Sequence, residues 1–342
     1  MDERILEQLE NVPSSNEDAY NELVGILEST YCELDKLLKM TDVFSYEEIE
    51  RIKYELATIK QLGIAKVFVF GIYLYRLGAM TAFGLSNYSY INYLLGVSAI
   101  NPVLYNLPFE RFFTEHRKFL PTFNMYVFKG GKGKILKGLY EKYGKSLFIK
   151  PKDSDDVYFT SGKPFDSELI KETVIVAKEN QEAYEESISI LTSRELSKLG
   201  FYSFSITEVD KIEYLEDAQI TEQSILEKKK ELFDDCYRRD IDEFDLIEEI
   251  KPYLSYTENK LIYQEQFMEI LNKVFDISYS MADYYRRELG KKNKETIKPL
   301  KEIIMQKFPK NGEKLFDYFY KVMIYTVSKA YVIACLQYKI EE

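Results

Sequence analysis

A chain of 342 residues, 46% of them hydrophobic, has enough apolar side chain for one large or two ordinary domains with a sizeable core. Its 57 acids against 46 bases give a formal net charge of −11, which excludes a uniformly basic nucleic-acid-binding surface and leaves room only for a local basic patch. Cys32, Cys236 and Cys335 stand far apart in no CxxC spacing, as expected of idle thiols in a reducing compartment, and the single histidine, His116, excludes histidine-rich zinc sites.

The N-terminus, MDERILEQLENVPSS, is acidic and reads as helix rather than as a signal peptide. The stretch EEIERIKYELATIKQLG places Ile49, Ile52, Leu56 and Ile59 at a 3-4-3 spacing, which predicts an amphipathic helix. LGIAKVFVFGIYLYRLGAM is the most apolar segment. Lys66 and Arg76 interrupt it, it is too short to span a bilayer, and it reads as a buried element. Its KVFVFGIYLY part fits a strand or a buried helix equally. A cytoplasmic protein is the expectation.

GLSNYSYINYLLGVSAINP predicts a helix stopped near Asn101-Pro102, and NMYVF a strand, followed by the turn GGKGK and the helix ILKGLYEKYG ending at Gly144. SLFIK and VYF read as strands. From about residue 166 the pattern is mostly helical, with one apolar interruption at LGFYSFSI. YQEQFMEILNKVF places Tyr263, Phe267, Ile270 and Val274 on one helical face. The fold class expected is α+β, a mixed sheet with helices followed by an all-helical part.

From His116 to Tyr140 the chain has no acid and six bases: Arg117, Lys118, Lys129, Lys132, Lys134 and Lys137. GGKGK within it invites a phosphate-loop reading, but the spacing Gly-x4-Gly-Lys-Ser/Thr and its hydroxyl are missing. A basic turn between strand and helix is the better reading. His116, among the charges of ERFFTEHRKFL, suits a surface or structural role.

Three stretches, in order, carry a resemblance: YEEIERIKYELATIKQLGIAKVFVF, YLLGVSAINPVLYNLPFERFFTEHRKFLP and NKLIYQEQFMEILNKVFDISYSMADYYRRELGKK. Together they resemble the alpha subunit of bacterial DNA polymerase III, the C-family replicative polymerase. YTVSKAYVIACLQY, 325 to 338, is a weaker echo of the family's Tyr-x-Phe-Asn-Lys-Ser-His segment. The resemblance implies a nucleotidyltransferase-type palm followed by helical fingers. It divides the chain into an N-terminal helical lead (1–46), a palm-like domain with its thumb largely deleted (47–215) and a truncated fingers-like domain (216–342).

The departures bear on function. In the family, an Asp-x-Asp-x-Asp run follows the Phe-Glu-Arg-Phe stretch, and two of its carboxylates hold magnesium ions. Here LPTFNMYVF puts Thr122 and Asn124 at those two positions and Tyr126 at the third acid. The family's other catalytic aspartate falls in this chain's KLGFYSF, at Gly200. Two-metal phosphoryl transfer needs those anionic oxygens, so the resemblance implies a lost magnesium site and no cofactor. The family's glycine-serine loop, Gly-Arg-Gly-Ser-x-x-Gly-Ser, corresponds to AFGLSNYS. Gly84 and Ser89 remain, while Phe83, Leu85 and Tyr88 replace an arginine, a serine and a glycine. The family's N-terminal phosphoesterase domain, its later DNA-binding parts and its sliding-clamp region are expected to be absent.

Arg286, Arg287, Lys291 and Lys292 of YYRRELGKK match a family cluster that faces nucleotide and template, and Lys129, Lys132 and Lys134 are candidates to join it in binding phosphates. A solvated helix end is the alternative for the first four. The acidic tract ELFDDCYRRDIDEFDLIEE, 231 to 249, opposes DNA. Three functions are open: an inactive polymerase-alpha-like protein with a binding or regulatory role toward DNA or a replication protein; a nucleotidyltransferase using other acids such as Glu115 or Asp166; and a protein-interaction module that touches no nucleic acid.

Overall fold

The computed structural model describes residues 16–116, 123–143, 148–150, 157–159, 187–188, 202–215, 219–233 and 247–341. The chain divides into two compact units. One takes the described residues up to Phe112, residues 123–212 and the C-terminal end; the other takes Phe113–His116 and Glu213–Lys339.

In the first unit, α1 (Asn16–Thr30) and α2 (Leu34–Leu37) precede α3 (Tyr46–Leu62). A capping box starts α3: the Glu48 N–H donates to Ser45 Oγ at 3.2 Å and the Ser45 N–H to Glu48 Oε2 at 2.9 Å. Ile49, Ile52, Leu56 and Ile59 are all buried, as their spacing requires. KVFVFGIYLY resolves as a helix, α4 (Ala65–Arg76). Val67, Phe68, Val69 and Phe70 are all buried, so the helix is apolar all round and carries no period to read. At Gly71 a Cβ would lie 2.8 Å from Phe123 Cε1, so the glycine lets the first strand pack against the helix. The pair α3 and α4 is bent by 115°, and among the described residues no single helix is long and apolar enough to cross a membrane.

The helix expected through residues 85–101 is shorter than its periodicity suggests. A 3-10 turn (Leu85–Tyr88) leads into α5 (Tyr90–Leu94), and Gly96 at φ +75° closes it. Local side chains compete for the backbone: Asn87 Nδ2 donates to Ala82 O and Asn92 Nδ2 to Ser86 O.

The sheet runs β1-β5-β3-β2-β4, with β1 (Phe123–Phe128), β2 (Phe148–Lys150), β3 (Val157–Phe159), β4 (Ser187–Ile188) and β5 (Tyr202–Val209). β5 is parallel to β1 and antiparallel to β3, so the sheet is mixed. LGFYSFSI thus contributes a strand beside β1 rather than an interruption between helices. Most of the helical pattern expected from 166 to 201 lies outside the described residues. α6 (Lys132–Tyr143) starts inside GGKGK, so the turn is shorter than expected and Lys132, Gly133 and Lys134 form the first turn of the helix.

The second unit is helical: α7 (Glu222–Phe233), α8 (Lys251–Leu254), α9 (Gln264–Phe275), α10 (Tyr279–Gly290), α11 (Lys298–Lys307), α12 (Gly312–Val322) and α13 (Lys329–Gln337). Tyr263, Phe267, Ile270 and Val274 are buried together, and the Phe267 ring meets Phe319 edge-on at 5.1 Å. The described residues are therefore mostly helical with small sheets.

Candidate functional site

Along β1, Phe123, Met125 and Val127 are buried, while Asn124, Tyr126 and Phe128 alternate toward the other face. Register with β5 sets Asn124 beside Ser205, and Ser205 Oγ donates to Asn124 Oδ1 at 3.2 Å. Gly84 packs on the same amide. Its φ of +114° suits only glycine, and a Cβ there would sit 3.1 Å from Asn124 Nδ2. Next along the strand, the Phe83 ring meets Tyr126 edge-on at 5.4 Å.

Asn124 and Tyr126, on the strand read as the metal-bearing one, and Phe83 and Gly84, on the loop read as the phosphate cradle, therefore converge. Thr122 and Gly200 lie outside the described residues. Ser205 is the residue that motif matching missed. The signal for it is the alternation of Phe204-Ser205-Ile206-Thr207, which gives a half-buried strand with Ser205 on the polar side. Asn124 and Ser205 offer neutral oxygens only, and the Phe83–Tyr126 ring pair carries no carboxylate. A pair of magnesium ions, which prefer anionic oxygens, does not fit these side chains. Among the described residues no three of His, Cys, Asp and Glu converge to hold a metal.

Behind this face the matched motifs clamp the scaffold. Glu55 is fully buried, and its carboxylate accepts from Arg51 Nε (2.6 Å), Ser89 Oγ (2.6 Å), Tyr90 N (2.7 Å) and Ile91 N (3.1 Å). It thereby closes the N-terminal end of α5. Arg51 Nη2 in turn donates to Tyr88 O and Leu107 O, at 2.7 and 2.8 Å. Tyr54 donates to Glu110, whose carboxyl is pushed up by burial. The Arg111 guanidinium lies over the Tyr88 ring at 5.3 Å, and Asn101 Oδ1 accepts from Val103 N and Leu104 N in a turn.

In the GGKGK turn, Gly130 N and Lys132 N both donate to Glu208 Oε1, at 2.9 and 3.0 Å. The donors that a phosphate would seek at this helix start are taken by the chain's own carboxylate. Lys129 pairs with Asp210 at 3.2 Å, both well exposed.

In the second unit, Arg286 and Arg287 close on one acid. Asp283 is fully buried, with Arg286 Nε 3.0 Å from one carboxylate oxygen and Arg287 Nε 3.1 Å from the other. Arg286 Nη1 also reaches Gln264 Oε1 (3.4 Å), and Arg287 Nη2 donates to the His116 carbonyl (3.3 Å). Lys291 bonds Glu288 at 2.8 Å; that bond, with Thr296 and Asn293, holds the Glu288 carboxyl below its ordinary value. Lys292 stands 4.1 Å over the Tyr320 ring, and burial lowers its pKa. His116 packs on Tyr284, ring to ring at 5.6 Å. Glu115 is exposed, 3.5 Å from His116; Asp166 lies outside the described residues.

YQEQ is a structural hub. Gln266, fully buried, accepts from Ile262 N and Tyr263 N and donates to Tyr253 O and Thr257 Oγ1. Glu265 accepts from Lys329 N, and Gln264 Nε2 donates to Thr326 O, so YQEQ is tied to YTVSK.

Residues 26–150 match the model described as the bacterial DNA polymerase III alpha NTPase domain, and residues 227–312 match the bacterial DNA polymerase III alpha subunit finger domain. The chain is 30% identical over 119 residues to DNA polymerase III subunit alpha of Staphylococcus aureus strain MRSA252, a stretch covering 33% of this chain and 11% of that protein. It is 37% identical over 57 residues to DNA polymerase III subunit alpha of Mycoplasma genitalium, covering 17% of this chain and 6% of the relative. The matched stretches thus span about a tenth or less of these relatives.

Proposed function

Because the chain is a distant, partial homologue of the DNA polymerase III alpha subunit, with NTPase and finger domains in that order, we propose that it is a catalytically inactive relative with a binding or regulatory role toward DNA or a replication protein. The observation carrying this reading is the neutral Asn124–Ser205 pair beside the Phe83–Tyr126 rings. A carboxylate at the position of Ser205 would stand across the sheet from Asn124, one strand spacing of about 4.8 Å away. We take Ser205 as a further neutral position of this face, beside the Thr122, Asn124 and Gly200 positions that the resemblance implies. No step through magnesium follows from these residues.

Primer extension with magnesium or manganese tests the reading. The expected result is no extended product. Extension that disappears on Glu115→Gln or Asp166→Asn would establish an active nucleotidyltransferase with other acids.

A second reading, a protein-interaction module without nucleic-acid contact, draws support from Arg286 and Arg287 both pairing with Asp283, which cuts their joint charge to one.

A further inference from the structure

Where α7, α9 and α13 begin, the second unit gathers acids around one buried ammonium. Lys329, the first residue of α13, is buried; its Nζ stands 2.7 Å from Glu222 Oε1 at the start of α7, and its N–H donates to Glu265 Oε2 at 3.0 Å. Glu269 lies one turn beyond Glu265 on α9, and Lys329 Nζ stands 5.6 Å over the Tyr256 ring. Burial, and then the charges of Glu222, Glu269 and Glu265, push the Tyr256 hydroxyl up, so the carboxylates share one centre with that ring.

Two groups of this cluster have no role in the fold. Glu222 and Glu265 sit in the first turns of their helices, where an acid is favourable, and both hold Lys329. Glu269 is in mid-helix. Among the described residues it has no hydrogen bond or ion pair, and burial holds its carboxyl above the ordinary value against the pull of Lys329 and Lys273. Tyr263 is 1% exposed, its hydroxyl has no hydrogen-bond partner, and the charges of Glu222 and Glu265 reach it. A buried hydroxyl without a partner costs stability until something meets it. The acids do not converge closely enough for a metal ion. A larger cation with several N–H donors can reach separate oxygens and lie against a ring. The cluster is open to one, since the Glu222 side chain is 54% exposed and Tyr256 38%.

We propose that this cluster binds one organic cation, an ammonium or a guanidinium, between Glu222, Glu269, the Tyr256 ring and the Tyr263 hydroxyl. The hydroxyl oxygen accepts from the ligand, and the carboxylates balance its charge. Lys329 stays in place, answering one carboxylate and leaving the rest of the negative charge to the ligand. The source is either a free polyamine or a lysine or arginine side chain of a partner protein. The site uses no residue of the β1 face, so it stands whether that face is active or not.

Calorimetry on the unaltered chain tests it with spermidine, a blocked Gly-Arg-Gly peptide and magnesium chloride. Spermidine, the peptide or both should bind. Glu269→Gln should weaken that binding about tenfold or more and, with no partner to lose, should leave the thermal midpoint no lower than in the parent. Tyr256→Leu should weaken it similarly; if that variant fails to fold, the Glu269 change decides alone. Glu302→Gln, an exposed acid on α11, removes the same charge elsewhere and should alter affinity less than about twofold, which separates a site from general attraction to an acidic chain. Glu222→Gln is the poorer variant, because it strands the buried Lys329. Binding of spermidine alone assigns a free amine, binding of the peptide alone assigns a partner's side chain, and binding of both supports the shared chemistry. Binding of magnesium alone, binding of no probe, or equal losses in Glu269→Gln and Glu302→Gln overturns the site.

Discussion

Glu55 receives four donors with one carboxylate. Glu55→Gln keeps the size but removes the charge and turns an amide toward groups that donate. We expect a loss of about 3–5 kcal/mol in urea unfolding, the range for breaking a buried charge pair on one side; a loss under about 1 kcal/mol would contradict the clamp. Glu288 gives the pH counterpart. Its carboxyl is held below the ordinary value, first by its bond to Lys291, so its contribution is complete above the unfolded carboxylate value near 4.3 and disappears as pH falls through the folded value. Glu288→Gln should lower the thermal midpoint at pH 7 and flatten its fall below about pH 5. Parallel curves for variant and parent would show that Glu288 carries none of this dependence. The sequence presents Tyr54-Glu55-Leu56 as a matched motif without saying what the glutamate does. Three of its four partners are 34 to 36 residues away, and only the fold brings them to it.

At the scale of elements, periodicity was legible where one face is wet. The four isoleucine and leucine positions of α3, and Tyr263 just before α9 with Phe267, Ile270 and Val274 within it, are buried as spaced. It failed where an element has no wet face, as in α4, and where side chains capture the backbone, as between Ala82 and Ser98. The β1 face was half legible. Asn124 stands in a motif that can be aligned, whereas Ser205 becomes its neighbour only through a parallel pairing 81 residues apart. YQEQ shows the same division. Its letters identify a family, but the four bonds of Gln266 identify a job, joining the start of α9 to the segment around Tyr253 and Thr257. Gln266→Leu fills the space and orphans two buried N–H groups, each costing roughly 1–3 kcal/mol. Denaturant unfolding should therefore register about 2–6 kcal/mol. Gln266→Glu should retain part of this, since its carboxylate still accepts from Ile262 and Tyr263.

Across the whole molecule, a net charge of −11 sets the terms for any contact with DNA. Several of the cations singled out from the sequence are paired within the chain. Arg286 and Arg287 share the one carboxylate of Asp283 and keep a single net charge, Lys291 pairs with Glu288, and Lys129 faces Asp210 in a solvated pair. Only a few phosphates can then be contacted, while the acid surplus repels the rest. We expect weak duplex binding by fluorescence anisotropy, with a logarithmic salt slope no steeper than about −3, as for roughly three released counterions. Lys129→Gln, Lys132→Gln and Lys134→Gln together test the share of the GGKGK turn without touching a buried group, because Glu208 there bonds backbone N–H groups that the change leaves in place. Arg286→Ala with Arg287→Ala is the weaker test: it strands a buried Asp283, and lost binding would then be indistinguishable from lost fold. Adding Asp283→Asn to that pair removes the stranded charge. If the triple variant folds and binds as the parent does, the two arginines serve the helix and not a phosphate. A slope much steeper than −3 in the parent would mean that a cationic surface larger than these residues supply meets the DNA.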